Sequence, residues 1–251
     1  MGAMEFINEK KEKIFIRIST LGNFRNQESL VIRLIYSLNH QISLFRPQDL
    51  VILENFTKRR GLILFSGPTG SGKTTMIYYL ARKLALNSMV MTIEDPIEIY
   101  EPLFLQIQVN LAAKMDYAEI IKASLRHRPD ILIIGEIRDE ISAQAAVTAS
   151  LSGHLVFSTI HARNIYGVIE RLCGLNIEIN TIKNCLNAIC YQRLIPDKSK
   201  KVHALTQIFD AFKSNYQLTE AETMKYWKLQ LQELFANKII TFKTFERFLY
   251  G

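Results

Sequence analysis

Gly67-Pro68-Thr69-Gly70-Ser71-Gly72-Lys73-Thr74 is the stretch on which the fold turns. It fits the pattern G-x-x-x-x-G-K-[ST], in which backbone N–H groups wrap an anion because glycine puts no Cβ in the way. The pattern needs a strand before it and a helix after it. Leu62 to Ser66 is a short apolar run of strand length, and beyond Thr75 the residues Ile77, Leu80, Ala81 and Leu84 fall on one helical face. A helix starting near Gly72 presents free N–H groups and a dipole end of about +0.5 charge to a phosphate. Gly67 to Thr75 is therefore the expected phosphate cradle. Lys73 is expected on the outer phosphates of ATP, and the Thr74 hydroxyl on Mg²⁺.

Outward from this loop, short apolar runs alternate with helical patterns. Val90 to Ile93, Ile131 to Ile134 and Leu155 to Ile160 read as strands, and Leu103 to Val109 alternates like an outer strand. Helices are expected from Asp116, where Glu119 completes a start signature, from about Asp139 to Gly153, and from Asn164. Such alternation implies a parallel sheet with helices on both faces, an α/β fold. Residues 178–194 are expected to be helical. Thr219 with Glu222 opens a helix whose stripe is Met224, Trp227, Leu231 and Leu234, and 241–249 form a last short helix. Near the N-terminus, 14–19 and 29–35 read as strands joined by a turn-rich link, and 37–50, with Pro47, as a linker.

Two further segments carry acids at strand ends. Thr92-Ile93-Glu94-Asp95-Pro96-Ile97-Glu98 brings three carboxylates to the end of one strand, where open parallel sheets bind ligands. A metal ion or a water to be activated would account for them, as would a solvated acidic turn. Their reach to the cradle is expected to need this strand beside the loop's own. Ile131-Leu132-Ile133-Ile134-Gly135-Glu136 is a buried strand ending in a carboxylate, like a Walker B segment with Gly135 in place of the usual Asp. Glu136 would then help to hold Mg²⁺ through water. His154 and His161 flank another strand, so a γ-phosphate sensor is conceivable there.

Composition narrows the remaining classes. The chain is 48% hydrophobic and 22% charged, ordinary for a globular protein, with no run approaching a membrane span. Its three cysteines lack the paired spacing of zinc sites and read as reduced thiols. The net charge of +7 is scattered, and no interleaved aromatic and basic strip of the single-strand-binding kind is present. Direct nucleic-acid contact is accordingly not expected.

The order of these motifs, the P-loop, then IEDPIE, then LRHRPDILIIGEIRD, then GHLVFSTIHA, resembles the secretion ATPases of type II secretion and type IV pili over about Arg17 to Pro196. RISTLGNFRNQESLVIRL and CYQRLI look most like the competence branch. That resemblance implies an ATP-hydrolysing motor that powers assembly of the transformation pilus. It implies a homo-hexamer, cytoplasmic and peripheral to the inner face of the membrane, working on an inner-membrane platform protein. It implies a RecA-like core behind a PAS-like N-terminal domain.

Carried onto matching positions, the resemblance makes Glu98 the general base. Asp95 supports the metal shell, Glu136 is the Mg²⁺ carboxylate, and His161 lies near the γ-phosphate. Arg17, Arg25 and Arg33 become nucleotide contacts from the N-terminal domain. The chain departs from the family in lacking a tetracysteine loop and an AIRAGE-like segment, and its N-terminal domain reads as partial, with two strands. The expected organisation is 1–36 for that domain, 37–50 for the linker, 51–196 for the core and 197–251 for a C-terminal helical region. Rival readings are a retraction or conjugation motor, a RecA-like nucleic-acid motor, and an ATP-gated scaffold without turnover.

Overall fold

The computed structural model describes residues 2–7, 13–35, 37, 42–113, 115–212 and 219–250. In chain order the elements are β1 (Gly2–Ile7), β2 (Lys13–Gly22), β3 (Glu28–Ile35), α1 (Gln48–Phe56), β4 (Gly61–Ser66), α2 (Lys73–Leu84), β5 (Val90–Glu94) and β6 (Leu105–Gln108). They continue with α3 (Tyr117–Arg126), β7 (Ile131–Ile137), α4 (Glu140–Leu151), β8 (Leu155–Ile160), α5 (Ile165–Gly174) and α6 (Ile179–Cys185). The last are β9 (Leu186–Pro196), β10 (Val202–Asp210), α7 (Glu220–Ala236) and α8 (Phe242–Phe248).

The main sheet has the order β10-β9-β4-β8-β7-β5-β6. Every pairing in it is parallel except that of β10 with β9. Strands buried on both faces need no polar alternation, which explains the apolar runs of β4, β7 and β8. Successive residues point to opposite sides. Leu62, Leu64, Leu132, Ile134 and Val156 pack into a core under α3–α8, while Ile63, Phe65, Ile131, Ile133 and Phe157 pack under α1 and α2. The architecture is a three-layer α/β sandwich.

Caps follow local chemistry. Asp116, Asp139, Asn164 and Thr219 each accept a backbone N–H in the first turn of the helix they open, satisfying one orphan donor. The expected starts at Asp116, Asp139, Asn164 and Thr219 therefore match the structure. The expected helix over 178–194 does not. Only Ile179–Cys185 is helical, and Leu186–Pro196 is a fully integrated strand. Val202–Asp210, within the region expected to be helical, adds an eleven-residue strand's antiparallel partner at the sheet edge.

The N-terminal unit is a separate antiparallel sheet, β1-β2-β3, one strand more than expected. It meets the core at Tyr100, whose ring lies 4.7 Å from that of Phe15 and whose backbone bridges Ser37. The expected linker is partly docked: Ala204 N–H donates to Ser43 at 2.8 Å and Phe45 N–H to Ala204 at 3.0 Å, along the outer edge of β10. Its last residues, from Gln48, already belong to α1, and its residues 38–41 lie outside the described residues.

Candidate functional site

Because β4, β5, β7 and β8 are parallel, their C-terminal ends open on one edge of the sheet, and the loops leaving them converge. The loop after β4 is built on close backbone contact. Gly67 has φ +138°, and a Cβ there would lie 2.2 Å from the Gln192 carbonyl oxygen on β9. Gly72 has φ +84° and serves as the N-terminal boundary of α2. Gln192 supports the loop from beneath, its Nε2–H donating to the Ser71 carbonyl at 2.6 Å. Gly67 and Ser71 are buried, whereas Pro68, Thr69 and Gly70 are exposed at the rim.

Lys73 is nearly buried. Its ammonium donates to the carbonyls of Gly67 at 2.9 Å and Pro68 at 3.0 Å. Burial lowers its pKa, and the nearby Glu136 and Glu98 work in the opposite direction. The Thr74 hydroxyl donates to Glu98 Oε2 at 3.1 Å. This contact exists although β5 is not beside β4. Two strands, β8 and β7, stand between them, so the expected adjacency is corrected. Helix α2 packs against β8 and β7 as well as β4, and the Thr74–Glu98 contact joins its first turn to the acid-bearing turn after β5.

Glu136 reaches the same space through a break in register. Ile134 pairs with Ser158 and Glu136 with Thr159, so Gly135 is skipped, and the Thr159 hydroxyl pins the bulge by donating to the Gly135 carbonyl at 2.7 Å. A Cβ at Gly135 would sit 3.3 Å from Glu94 Cγ, so a side chain there would press on the acid of the neighbouring strand. Glu136 Oε2 accepts from Arg138 Nε at 2.6 Å, and Oε1 lies 3.3 Å from His161 Nε2. That ion pair raises the Arg138 pKa. Tyr117 faces these acids, and burial pushes its pKa up to about 12, so it remains a neutral donor.

These groups line one cleft of about 610 Å³, shared by Gly72, Lys73, Thr74, Thr75, Asp95, Glu98, Glu136 and His161. Thr69 and Gly70 form its rim. These expected residues of the core thus meet in one place, whereas the expected Gly67, Pro68 and Ser71 do not line the cleft. His154 does not join them: its Nδ1 lies 3.1 Å from the Ala149 carbonyl at the end of α4. Nor do the three arginines line the cleft. Arg17 and Arg33 face each other across β2 and β3, and Arg25 lies over the Phe24 ring. Arg138, Thr159 and Tyr117 also line the cleft, and Gln192 supports the loop from outside it, although the sequence reading gave none of the four a role.

Among the described residues, no cluster of three or more His, Cys, Asp or Glu forms a metal cage. The donors that do converge, a threonine hydroxyl and two carboxylates on separate loops, suit Mg²⁺, which keeps several waters and takes its other ligands from phosphate. They fit that ion better than one needing a complete protein shell.

The type II/IV secretion system protein family model matches residues 2–232. Competence protein ComGA of Streptococcus pneumoniae is 50% identical over 180 residues, covering 72% of this chain and 57% of that protein. The chain spans 54–58% of the length of three ComGA proteins that it matches. Among solved structures, the Legionella pneumophila ATPase DotB superposes with a TM-score of 0.74 at 19% identity, over 98% of this chain and 76% of that one. The pilus retraction motor PilT with bound ADP gives 0.73 at 25% identity, over 98% and 77%. The fold is therefore the RecA-like one of these ATPases, and the chain belongs to the type II/IV secretion system protein family.

Proposed function

We propose that this chain binds Mg²⁺ and ATP in the 610 Å³ cleft, hydrolyses the γ-phosphate, and uses that cycle to power assembly of a competence pilus for DNA uptake. The carrying observation is the 3.1 Å contact between Thr74 and Glu98, which sets a base candidate against the phosphate-binding helix. The 50% identity to a competence protein supports the biological role.

In this reading the loop amides from Gly67 to Thr75 bind the phosphate oxygens, and Lys73 exchanges the carbonyls of Gly67 and Pro68 for the outer phosphates. Thr74, Asp95 and Glu136 would hold Mg²⁺, which would supply positive charge to offset the negative charge of the phosphates. Glu98 orients a water for in-line attack and takes its proton, which requires about 3 Å between them. His161, held beside Glu136, donates toward the γ-phosphate. As the new bond from the water oxygen to the γ-phosphorus forms, the bond to the β–γ bridging oxygen breaks with its electron pair leaving on ADP, and the two anionic products then repel each other.

Arg17, Arg25 and Arg33 are proposed as contacts made only after the N-terminal sheet moves, or across a subunit boundary. Exposed Leu30, Ile32 and Leu34 lie on one face of β3, with exposed Val31 on the other, and this apolar row supports self-association. A hexameric ring is the proposed assembly, acting on an inner-membrane platform protein from the cytoplasmic side. Among the described residues no helix is long and apolar enough to cross a membrane.

Steady-state phosphate release beside analogue binding tests the reading. Glu98→Gln is expected to keep its affinity for a non-hydrolysable ATP analogue and to lose at least about 100-fold in turnover. Lys73→Ala is expected to lose binding itself. Wild-type turnover in Glu98→Gln would overturn the base assignment. Strong stimulation by DNA that weakens with salt would favour a nucleic-acid motor instead.

A further inference from the structure

Beneath the acid-bearing turn lies a hydrogen-bonded hub that the motif residues do not include. Tyr78 on α2 is fully buried and donates its phenol O–H to Glu94, the last residue of β5, itself 3% exposed. Gln106 on β6 donates Nε2–H to the Tyr78 oxygen at 2.9 Å and to the Ile99 carbonyl at 2.8 Å. Its Oε1 accepts the Glu101 backbone N–H at 2.9 Å. Every donor and acceptor of the two side chains that could hold the turn is engaged.

The placement is what matters. Thr74 and Tyr78 are four residues apart on α2 and so share one helical face. They form two rungs to the same turn, Thr74 to Glu98 and Tyr78 to Glu94. Gln106 ties the far end of that turn, at Ile99 and Glu101, back to the second rung. The segment 94–101, which carries Glu98, is therefore fastened at both ends to the helix that begins with Lys73. Neither Tyr78 nor Gln106 lines the cleft.

We propose that Tyr78 and Gln106 are positioning residues that fix the distance between the phosphate-binding helix and the turn bearing Glu98. This rests on Glu98 acting as the base. Both side chains act through the turn, so turnover depends on them and nucleotide affinity does not. A shift of about 1 Å in a reacting group costs on the order of 100-fold in rate, which sets the scale of the effect.

The test uses the full chain with Tyr78→Phe, Gln106→Leu and the double variant. Three readouts are taken: turnover, affinity for Mg²⁺ with a non-hydrolysable ATP analogue, and amide hydrogen exchange by segment. Each single variant is expected to lose about 10- to 100-fold in kcat with affinity within about threefold of wild type. The double variant is expected to be little worse than either single, because one network has been cut. Exchange should quicken across 95–101 while the strands β4, β7 and β8 keep their protection.

Unchanged turnover with unchanged exchange would overturn the proposal. So would parallel losses in kcat and affinity with exchange quickened throughout the sheet, the mark of general destabilisation. Glu98→Gln is measured alongside. If that variant turns over normally, the base assignment fails by itself, and the exchange in 95–101 still decides whether the hub holds the turn.

Discussion

At Gly67 a single hydrogen atom in place of a methyl group keeps the phosphate loop closed. The backbone there has φ +138° and approaches the Gln192 carbonyl so nearly that a Cβ would come within 2.2 Å of its oxygen. Neither strain has a flexible neighbour to absorb it, since both the oxygen and the loop are backbone. Gly67→Ala is expected to lower stability by about 2 kcal/mol or more and to abolish analogue binding. Urea unfolding and a binding titration check this; a variant as stable and as competent as wild type contradicts it. That Lys73, Thr74, Glu98, Glu136 and His161 share one cleft was legible, the first two from the phosphate-loop pattern and the other three from their places at strand ends together with the family resemblance. Gln192, Tyr78 and Gln106 were not. A glutamine or tyrosine in a strand or helix follows the same face pattern as any half-buried residue, and its role depends on what lies across from it, which no local pattern records.

Elements show where periodicity stops discriminating. Leu186-Asn187-Ala188-Ile189-Cys190-Tyr191 is buried throughout, and a run apolar but for Asn187 fits a core helix as well as a central strand. Tertiary position decided for the strand: β9 pairs with β4 on one side and β10 on the other. The strand β10 escaped notice for a related reason, since four consecutive buried residues, Ala204 to Gln192's cross-strand partner Thr206 and on to Gln207, hide its alternation. By contrast the α7 stripe was read correctly at Trp227, Leu231 and Leu234, although in the first turn Thr223 rather than Met224 is buried. Trp227, 1% exposed, packs edge-on to Tyr191 at 5.3 Å and donates Nε1–H to the Phe248 carbonyl at 2.8 Å, joining α7 and α8 to β9. Trp227→Ala is expected to cost about 3–5 kcal/mol. Trp227→Phe keeps most of the apolar contact and is expected to cost about 1–3 kcal/mol, through the carbonyl left without its donor. Chemical denaturation of both variants checks the ranking, and equal losses would contradict it.

Across the whole molecule, the sheet order separates the two acid-bearing strands from the phosphate loop and α2 reunites them. The three-layer arrangement was legible from the alternation of strand and helix signals, but the strand order was not, because apolar runs carry no label for their neighbours. The N-terminal sheet touches the core at Tyr100, two residues beyond the proposed base Glu98. All of this turns on where the γ-phosphate sits. A crystal structure of the chain with Mg²⁺ and a non-hydrolysable ATP analogue measures that directly. The account predicts phosphates against the amides of Gly70 to Thr74, Lys73 turned from the Gly67 and Pro68 carbonyls onto a phosphate oxygen, and Glu98 and Glu136 both facing the γ-phosphate. A nucleotide bound elsewhere, or one whose γ-phosphate points away from both glutamates, would contradict it.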